Sequence, residues 1–191
     1  MYKFFAFLDR MKYIKRWSLM RSVREENIME HTEQVAVIAH ALAVIKNKMF
    51  GGSVDESKVL LYALFHETGE VITGDLPTPI KYFNEEINTA YKDLEKKASE
   101  KLIGTLPKEL QETYKSYVFA DVDSYEYMLV KAADKLSAHI KCIEEVKAGN
   151  SEFKKAKAST GKALKTYENE EIKYFIDKIL PAYELTLDEL D

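Results

Sequence analysis

The chain has 191 residues, of which 46% are hydrophobic and 31% charged, with a formal net charge of -4. That balance suits one globular domain spanning 1–191 and excludes a disordered chain. The intermixed charges leave no basic field for a nucleic-acid polymer, and no stretch approaches the roughly 18–20 apolar residues that cross a bilayer.

The single cysteine, Cys142, excludes an internal disulfide and disfavours a thiolate-based metal site. Four prolines and seven glycines interrupt a sequence rich in Ala, Leu, Lys and Glu, so the predicted fold is all-α, one compact multi-helix domain. The N-terminal MYKFFAFLDRMKYIKRW is amphipathic. It lacks the apolar core and small-residue cleavage site of a targeting peptide, and so reads as the first helix of a cytoplasmic protein, over Tyr2 to about Lys15. After a polar connection, SVREENIME, the residues His31, Val35, Ile38, Leu42 and Ile45 recur at three and four, the period of an inward helix face. Gly51-Gly52 ends that unit.

A helix follows from about Asp55 to Thr68, apolar all round between Val59 and Phe65 and so expected at the centre of the core. In ITGDLPTPIKYF two prolines predict an extended, rigid path rather than a regular helix. Such loops often place binding groups. Helices are predicted over Glu85–Ile103 and Lys108–Ala120, the second with Pro107 at its first position. The spacing Asp123-Ser-Tyr-Glu126 reads as a capping box opening a long helix that ends at Gly149. Two more helices, near Ser151–Tyr167 and Glu171–Leu187, complete the chain, with Pro181 able to kink or divide the last.

The apolar run VLLYALF closes on His66-Glu67-Thr-Gly-Glu70. Residues 66 and 70 share a helix face while 67 points about 100° away, so this spacing is either a helix-end turn with solvated glutamates or part of a metal site. His31 continues an inward face at a helix N-terminus, where its neutral, metal-binding form is favoured. Glu30 beside it is either a cap or a carboxylate that orients it. Asp134 lies mid-helix among Ala132, Ala133, Ser137 and Ala138, and is either a surface partner of Lys131 or Lys135 or a buried functional carboxylate. Two histidines and two carboxylates together form a mixed N/O donor set that suits Mn, Co, Zn or Fe, able to acidify a water and polarise a phosphoryl or carbonyl group. His40 reads as a hydrogen-bonded core residue, His139 as a packing or surface residue and Cys142 as a small hydrophobe.

The order His31 … His66-Glu67 … Asp134 resembles that of the HD-domain metal phosphohydrolases. RWSLMRSVREENIMEHTEQVAVIAHAL, FHETGEVITGDLPTPIKYF and KAADKLSAHIKCIEEVKAGNSEF resemble their bacterial 5'-deoxynucleotidase (YfbR-type) branch over nearly the whole chain. The resemblance implies that His31, His66, Glu67 and Asp134 hold one divalent cation per subunit (Co, Mn, Zn or similar), while Glu70 assists water attack and proton transfer. It further implies that Arg16 and Trp17 face the nucleotide, with Trp17 favouring a sugar without a 2'-hydroxyl, and that Asp75, Leu76, Pro77 and Thr78 lie along the substrate. The implied reaction is hydrolysis of deoxyribonucleoside 5'-monophosphates to deoxynucleosides and phosphate, by a homodimer. One position departs from the pattern: the family's pair is His-Asp, whereas here it is His66-Glu67. The extra methylene could move the carboxylate by about an ångström unless the backbone absorbs it, and Gly69 is the candidate source of that freedom.

Read without the resemblance, Arg16 is equally a solvated charge, Trp17 a core anchor and Asp75 a turn cap. The competing functions are an HD-type phosphohydrolase for another phosphate ester and a nucleotide-binding protein with an impaired metal site.

Overall fold

The computed structural model describes residues 1–191 and contains helices but no β-strand, the one strand-like contact being an isolated antiparallel bridge between Lys15 and Asn27. The all-α prediction holds. Contacts divide the chain into two compact units, one of Met1–Arg21, Glu25–Glu33 and Leu64–Asp121, the other of Ser22–Arg24, Gln34–Ala63 and Val122–Asp191.

The first unit opens with α1 (Phe4–Leu8), which tightens into a 3-10 turn over Asp9–Tyr13. The predicted single helix over Tyr2–Lys15 is therefore two short pieces. It stops at Ile14, which turns extended (φ -97°, ψ 111°) to enter the Lys15–Asn27 bridge. The unit then takes the first turn of α2 (Ile28–Met49) and the end of α3 (Glu56–Phe65), followed by α4 (Glu70–Thr73), α5 (Thr78–Lys81), α6 (Glu85–Ile103) and α7 (Lys108–Val118). Its core is Phe4, Leu102, Ile103 and Leu106, with Phe65, Val71, Tyr114 and Phe119 packed against them. Asn84 caps α6 by accepting from the Ile87 N–H at 2.7 Å.

Two expectations fail in this unit. The Pro-rich stretch does contain a helical turn, α5, because Pro79 sits in its first turn, where a missing N–H removes no helical hydrogen bond. Pro107 precedes α7 as its cap residue rather than opening it.

The second unit is built on α8 (Tyr125–Lys147), whose buried Leu129, Val130, Ala133, Leu136, Ile140 and Ile143 form its inward face, with α9 (Lys154–Leu164) and α10 (Glu170–Tyr174) beyond it. Ser124, one residue later than expected, caps α8 by accepting from the Tyr127 N–H at 3.2 Å. On α2 the residues Val35, Ile38, Leu42 and Ile45 are buried as the period requires, but His40 is exposed. Two residues from Ile38 it turns about 200° away from that face, so it is not a core histidine. His139 is a packing residue: its Nδ1 meets Thr160 Oγ1 at 2.7 Å, and a Cβ on Gly161 would come within 3.1 Å of its ring. Cys142 is buried. The last predicted helix divides as its proline suggests, passing from α10 through a π turn (Phe175–Ile179) into a 3-10 turn (Leu180–Glu184) containing Pro181.

This unit also buries a charge pair. Glu145, on α8, accepts from Lys141 Nζ at 2.5 Å, from the backbone N–H of Val23 at 2.8 Å and of Arg24 at 3.2 Å, and from Asn150 Nδ2 at 2.8 Å. Lys141 Nζ donates in addition to the Arg24 carbonyl. Burial alone would raise the Glu145 pKa, but these donors outweigh it and hold the carboxyl at about 2.

Candidate metal centre

His31 lies wholly buried in the first turn of α2. Asn27 caps that turn by accepting from the Glu30 N–H at 3.0 Å, and Glu30 Oε2 accepts from the Asn27 N–H at 3.4 Å. Glu30 is thus half of a capping box that fixes the turn carrying His31.

His66 and Glu67 follow the last residue of α3, Phe65, instead of lying within a helix running to Thr68. The buried Thr68 donates its hydroxyl to the Phe65 carbonyl at 2.7 Å and closes the turn. Adjacent helical side chains diverge, but adjacent residues at a helix end can face one point. Here His66 Nε2 stands 3.2 Å and His31 Nε2 3.8 Å from the same oxygen, Glu67 Oε1. The two imidazole rings lie 5.5 Å apart.

Asp134 projects from α8, with Lys131 Nζ 3.3 Å from its Oδ2. One ligand atom each from His31, His66 and Glu67 can be chosen so that all three lie within 4.8 Å of one another. A divalent ion with bonds of about 2.0–2.2 Å separates neighbouring ligands by roughly 3–3.5 Å, so the 3.2 Å between His66 Nε2 and Glu67 Oε1 already matches a bound cation, while His31 Nε2 at 3.8 Å has a few tenths of an ångström to close. Glutamate at 67 is compatible with that geometry. Gly69, however, adopts ordinary helical angles (φ -62°, ψ -37°) and absorbs nothing through unusual backbone freedom. Glycine is needed there for another reason: a Cβ would stand 2.9 Å from the Glu95 carbonyl oxygen and 3.1 Å from Ser99 Oγ. Gly69 lets α4 lie directly against α6.

Glu70 opens α4 and is buried. Its Oε1 is 3.8 Å from Lys81 Nζ, which lies 3.2 Å from Glu95 Oε1 and 5.1 Å over the Tyr91 ring. Burial raises the Glu70 carboxyl to about 10, the charges of Glu67, Asp75 and Glu95 add to the rise, and Lys81 opposes it. Asp75 is raised as well, first by burial, with Arg16 and Lys81 opposing and Glu67 adding. Leu76 and Pro77 are half-buried, while Thr78 is exposed at the start of α5. Lys81 was not anticipated, although its signal was present: it is the one charged residue in LPTPIKYF.

Arg16 and Trp17 occupy the outgoing arm of the Lys15–Asn27 bridge, where the Arg16 N–H donates to the Glu26 carbonyl at 2.9 Å. Trp17 has φ +58°, and no other non-glycine residue in the chain has positive φ. For a bulky side chain that backbone costs about 1–3 kcal/mol and needs surrounding contacts to hold it. Glu26 supplies them: its Oε2 accepts from Trp17 Nε1 at 3.0 Å and from Arg16 Nη1 at 2.9 Å. Glu26 also escaped the sequence reading, because it lies ten positions from Arg16 and nine from Trp17, across a loop that hides the pairing.

Residues 3–183 match the family model described as 5'-deoxynucleotidase YfbR-like. A 5'-deoxynucleotidase of Vibrio cholerae serotype O1 is 50% identical over 98% of this chain and 97% of its own length. The 5'-deoxynucleotidase YfbR of Escherichia coli O1:K1 is 48% identical over 98% of this chain and 94% of its own. Among solved structures, an HD-domain phosphohydrolase from Listeria innocua shares the fold with a TM-score of 0.85 at 24% identity, over 95% of this chain and 88% of that one. The histidine–carboxylate cluster, the helical fold and these likenesses converge, and the chain belongs to the YfbR-like 5'-deoxynucleotidase family.

Proposed function

We propose that residues 1–191 act as one HD-type hydrolase domain that converts deoxyribonucleoside 5'-monophosphates and water to deoxynucleosides and phosphate. The observation that carries this reading is the convergence of His31, His66 and Glu67 beside the buried acid Glu70, in a chain of this family. These three residues, with Asp134 as the proposed fourth ligand, would hold one divalent cation per subunit, with Co, Mn and Zn the ions best suited to two nitrogens and two carboxylate oxygens. When bound, the ion supplies Lewis-acid polarisation of the phosphoryl group and acidifies water.

The chain's own side chains do the rest. Arg16 presents planar, permanently charged donors to the phosphate. Trp17 packs against C2' of the sugar and leaves no space or hydrogen-bond partner for a 2'-hydroxyl, which rejects ribonucleotides. Glu70 moves a proton between the attacking water and the leaving 5'-oxygen, with Lys81 stabilising its ionised form. Asp75, Leu76, Pro77 and Thr78 line the substrate's path. A cytoplasmic homodimer is the proposed working form; no helix is long and apolar enough to cross a membrane.

The test is phosphate release from dAMP, dCMP, dGMP, dTMP and the matched ribonucleotides, after metal stripping and reloading with Co, Mn, Zn or Mg, with Glu67→Asp alongside. Turnover of deoxy but not ribo substrates, lost on stripping and regained on reloading, is expected. Activity confined to Glu67→Asp would mark a site whose metal chemistry glutamate has impaired. Silence from both proteins on every nucleotide would move the function to another phosphate ester or to binding alone.

A further inference from the structure

One carboxylate oxygen holds both side chains assigned above to the nucleotide. Glu26 Oε2 receives Arg16 Nη1 at 2.9 Å and Trp17 Nε1 at 3.0 Å, and the Glu26 carbonyl receives the Arg16 N–H at 2.9 Å. The Arg16 and Glu26 side chains are only 14% and 12% exposed, so solvent and salt screen their ion pair weakly. The residue between them in this arrangement, Trp17, carries a left-handed backbone that a bulky side chain leaves unless it is tied down. The indole N–H is such a tie.

We infer that Glu26 is a positioning residue that sets the discrimination between 2'-deoxy and 2'-hydroxy sugars by locking the Trp17 indole. This rests on the reading that Arg16 takes the phosphate and Trp17 the sugar. A steric filter rejects a hydroxyl only while the ring cannot recoil. An indole freed at its N–H can swing aside and admit the larger sugar. The two bonds of Glu26 therefore have separable consequences. Loss of the Arg16 bond weakens deoxy and ribo nucleotides alike, because both carry the same phosphate. Loss of the Trp17 bond changes their ratio.

Trp17 is the one tryptophan of the chain, so its emission reports the ring directly. The experiment titrates dAMP and AMP into metal-stripped native protein, Glu26→Ala and Glu26→Gln, following tryptophan quenching, with acrylamide accessibility, thermal midpoint and phosphate release from the reloaded proteins measured in parallel. Apolar exclusion of a hydroxyl supports a preference of up to about 10². The native dAMP:AMP affinity ratio is expected to shrink about tenfold in Glu26→Ala, with Trp17 more open to acrylamide. In Glu26→Gln, which retains one acceptor oxygen, the ratio shrinks less. Folded variants that keep the native ratio while both affinities fall together would overturn the inference, as would native protein with no preference for dAMP. If Glu26→Ala does not fold, the ratio in Glu26→Gln decides. Native protein that prefers dAMP yet releases no phosphate from any nucleotide would sink the hydrolase reading and leave this one standing.

Discussion

Two buried carboxylates, Glu145 and Glu70, show the chain treating internal charge in opposite ways. Glu145 is surrounded by donors, from Lys141, Asn150 and two backbone N–H groups, and its proton is held off down to about pH 2. Glu70 meets one cation at 3.8 Å and faces the repulsion of Glu67, Asp75 and Glu95, and its pKa climbs to about 10. The first arrangement satisfies a charge and fastens the Val23–Arg24 segment to α8. The second leaves a carboxyl short of donors, as its proposed role of proton carrier requires. A fully compensated carboxylate is architecture; a poorly compensated one, beside a histidine–carboxylate cluster, is a sign of chemistry.

That contrast can be broken most directly at Glu70. Glu70→Gln keeps the shape and removes the proton carrier, so phosphate release should fall about 10²–10⁴-fold while the thermal midpoint holds or rises. A midpoint that fell with activity would make Glu70 a structural residue like Glu145. Glu145→Ala should do the reverse by leaving Lys141 buried without its counter-charge, a loss of about 3–5 kcal/mol in denaturant unfolding. The double variant Lys141→Met/Glu145→Leu should recover much of that loss; failure to recover would assign the effect to the lost tie on Val23 and Arg24. Gly69→Ala drives a methyl against the Glu95 carbonyl and should cost about 1–3 kcal/mol. Because α4 carries Glu70, its turnover per folded molecule should drop too, measurable as kcat at matched folded concentration.

The pH dependences of the two carboxylates run in opposite directions. Glu145, depressed to about 2 from 4.5, contributes stability present above pH 4.5 and lost as pH falls towards 2. Glu70, raised to about 10 from 4.5, contributes stability present below pH 4.5 and lost as pH rises towards 10. Thermal melts of metal-free native protein and Glu70→Gln should therefore diverge progressively above pH 5, in favour of the variant. Parallel curves would remove Glu70 from the comparison.

Much of the fold was legible because local rules governed it: the inward face of α2, the span of α6 over Glu85–Ile103, the long α8 and the break at Pro181 all follow from period and punctuation. The errors arose where a tertiary contact overrode the pattern. Leu64 sits in an unbroken apolar run yet is 41% exposed. The helix expected to reach Thr68 stops at Phe65, which is what lets His66 and Glu67 converge and removes the objection that neighbours on a helix diverge. Lys81, Glu95 and Glu26 could not be read from spacing, since each acts on a residue ten or more positions away or on a different helix. The positive φ of Trp17 had no glycine or asparagine to announce it.

The hydrogen bonds that close the Lys15–Asn27 bridge, Arg16 N–H to Glu26 carbonyl at 2.9 Å and Ile28 N–H to Ile14 carbonyl at 3.0 Å, separate what the loop does from how long it is. The base holds Arg16, Trp17 and Glu26, and Val23 and Arg24 are tied independently to α8. Extra residues between Met20 and Arg21, beyond the turn closed by the Met20 N–H on the Trp17 carbonyl at 2.8 Å, would lengthen a loop where doubling the length adds only about 0.6 kcal/mol of closure entropy. This tip is therefore the place where an inserted peptide tag or reporter can be carried without moving the side chains at its root.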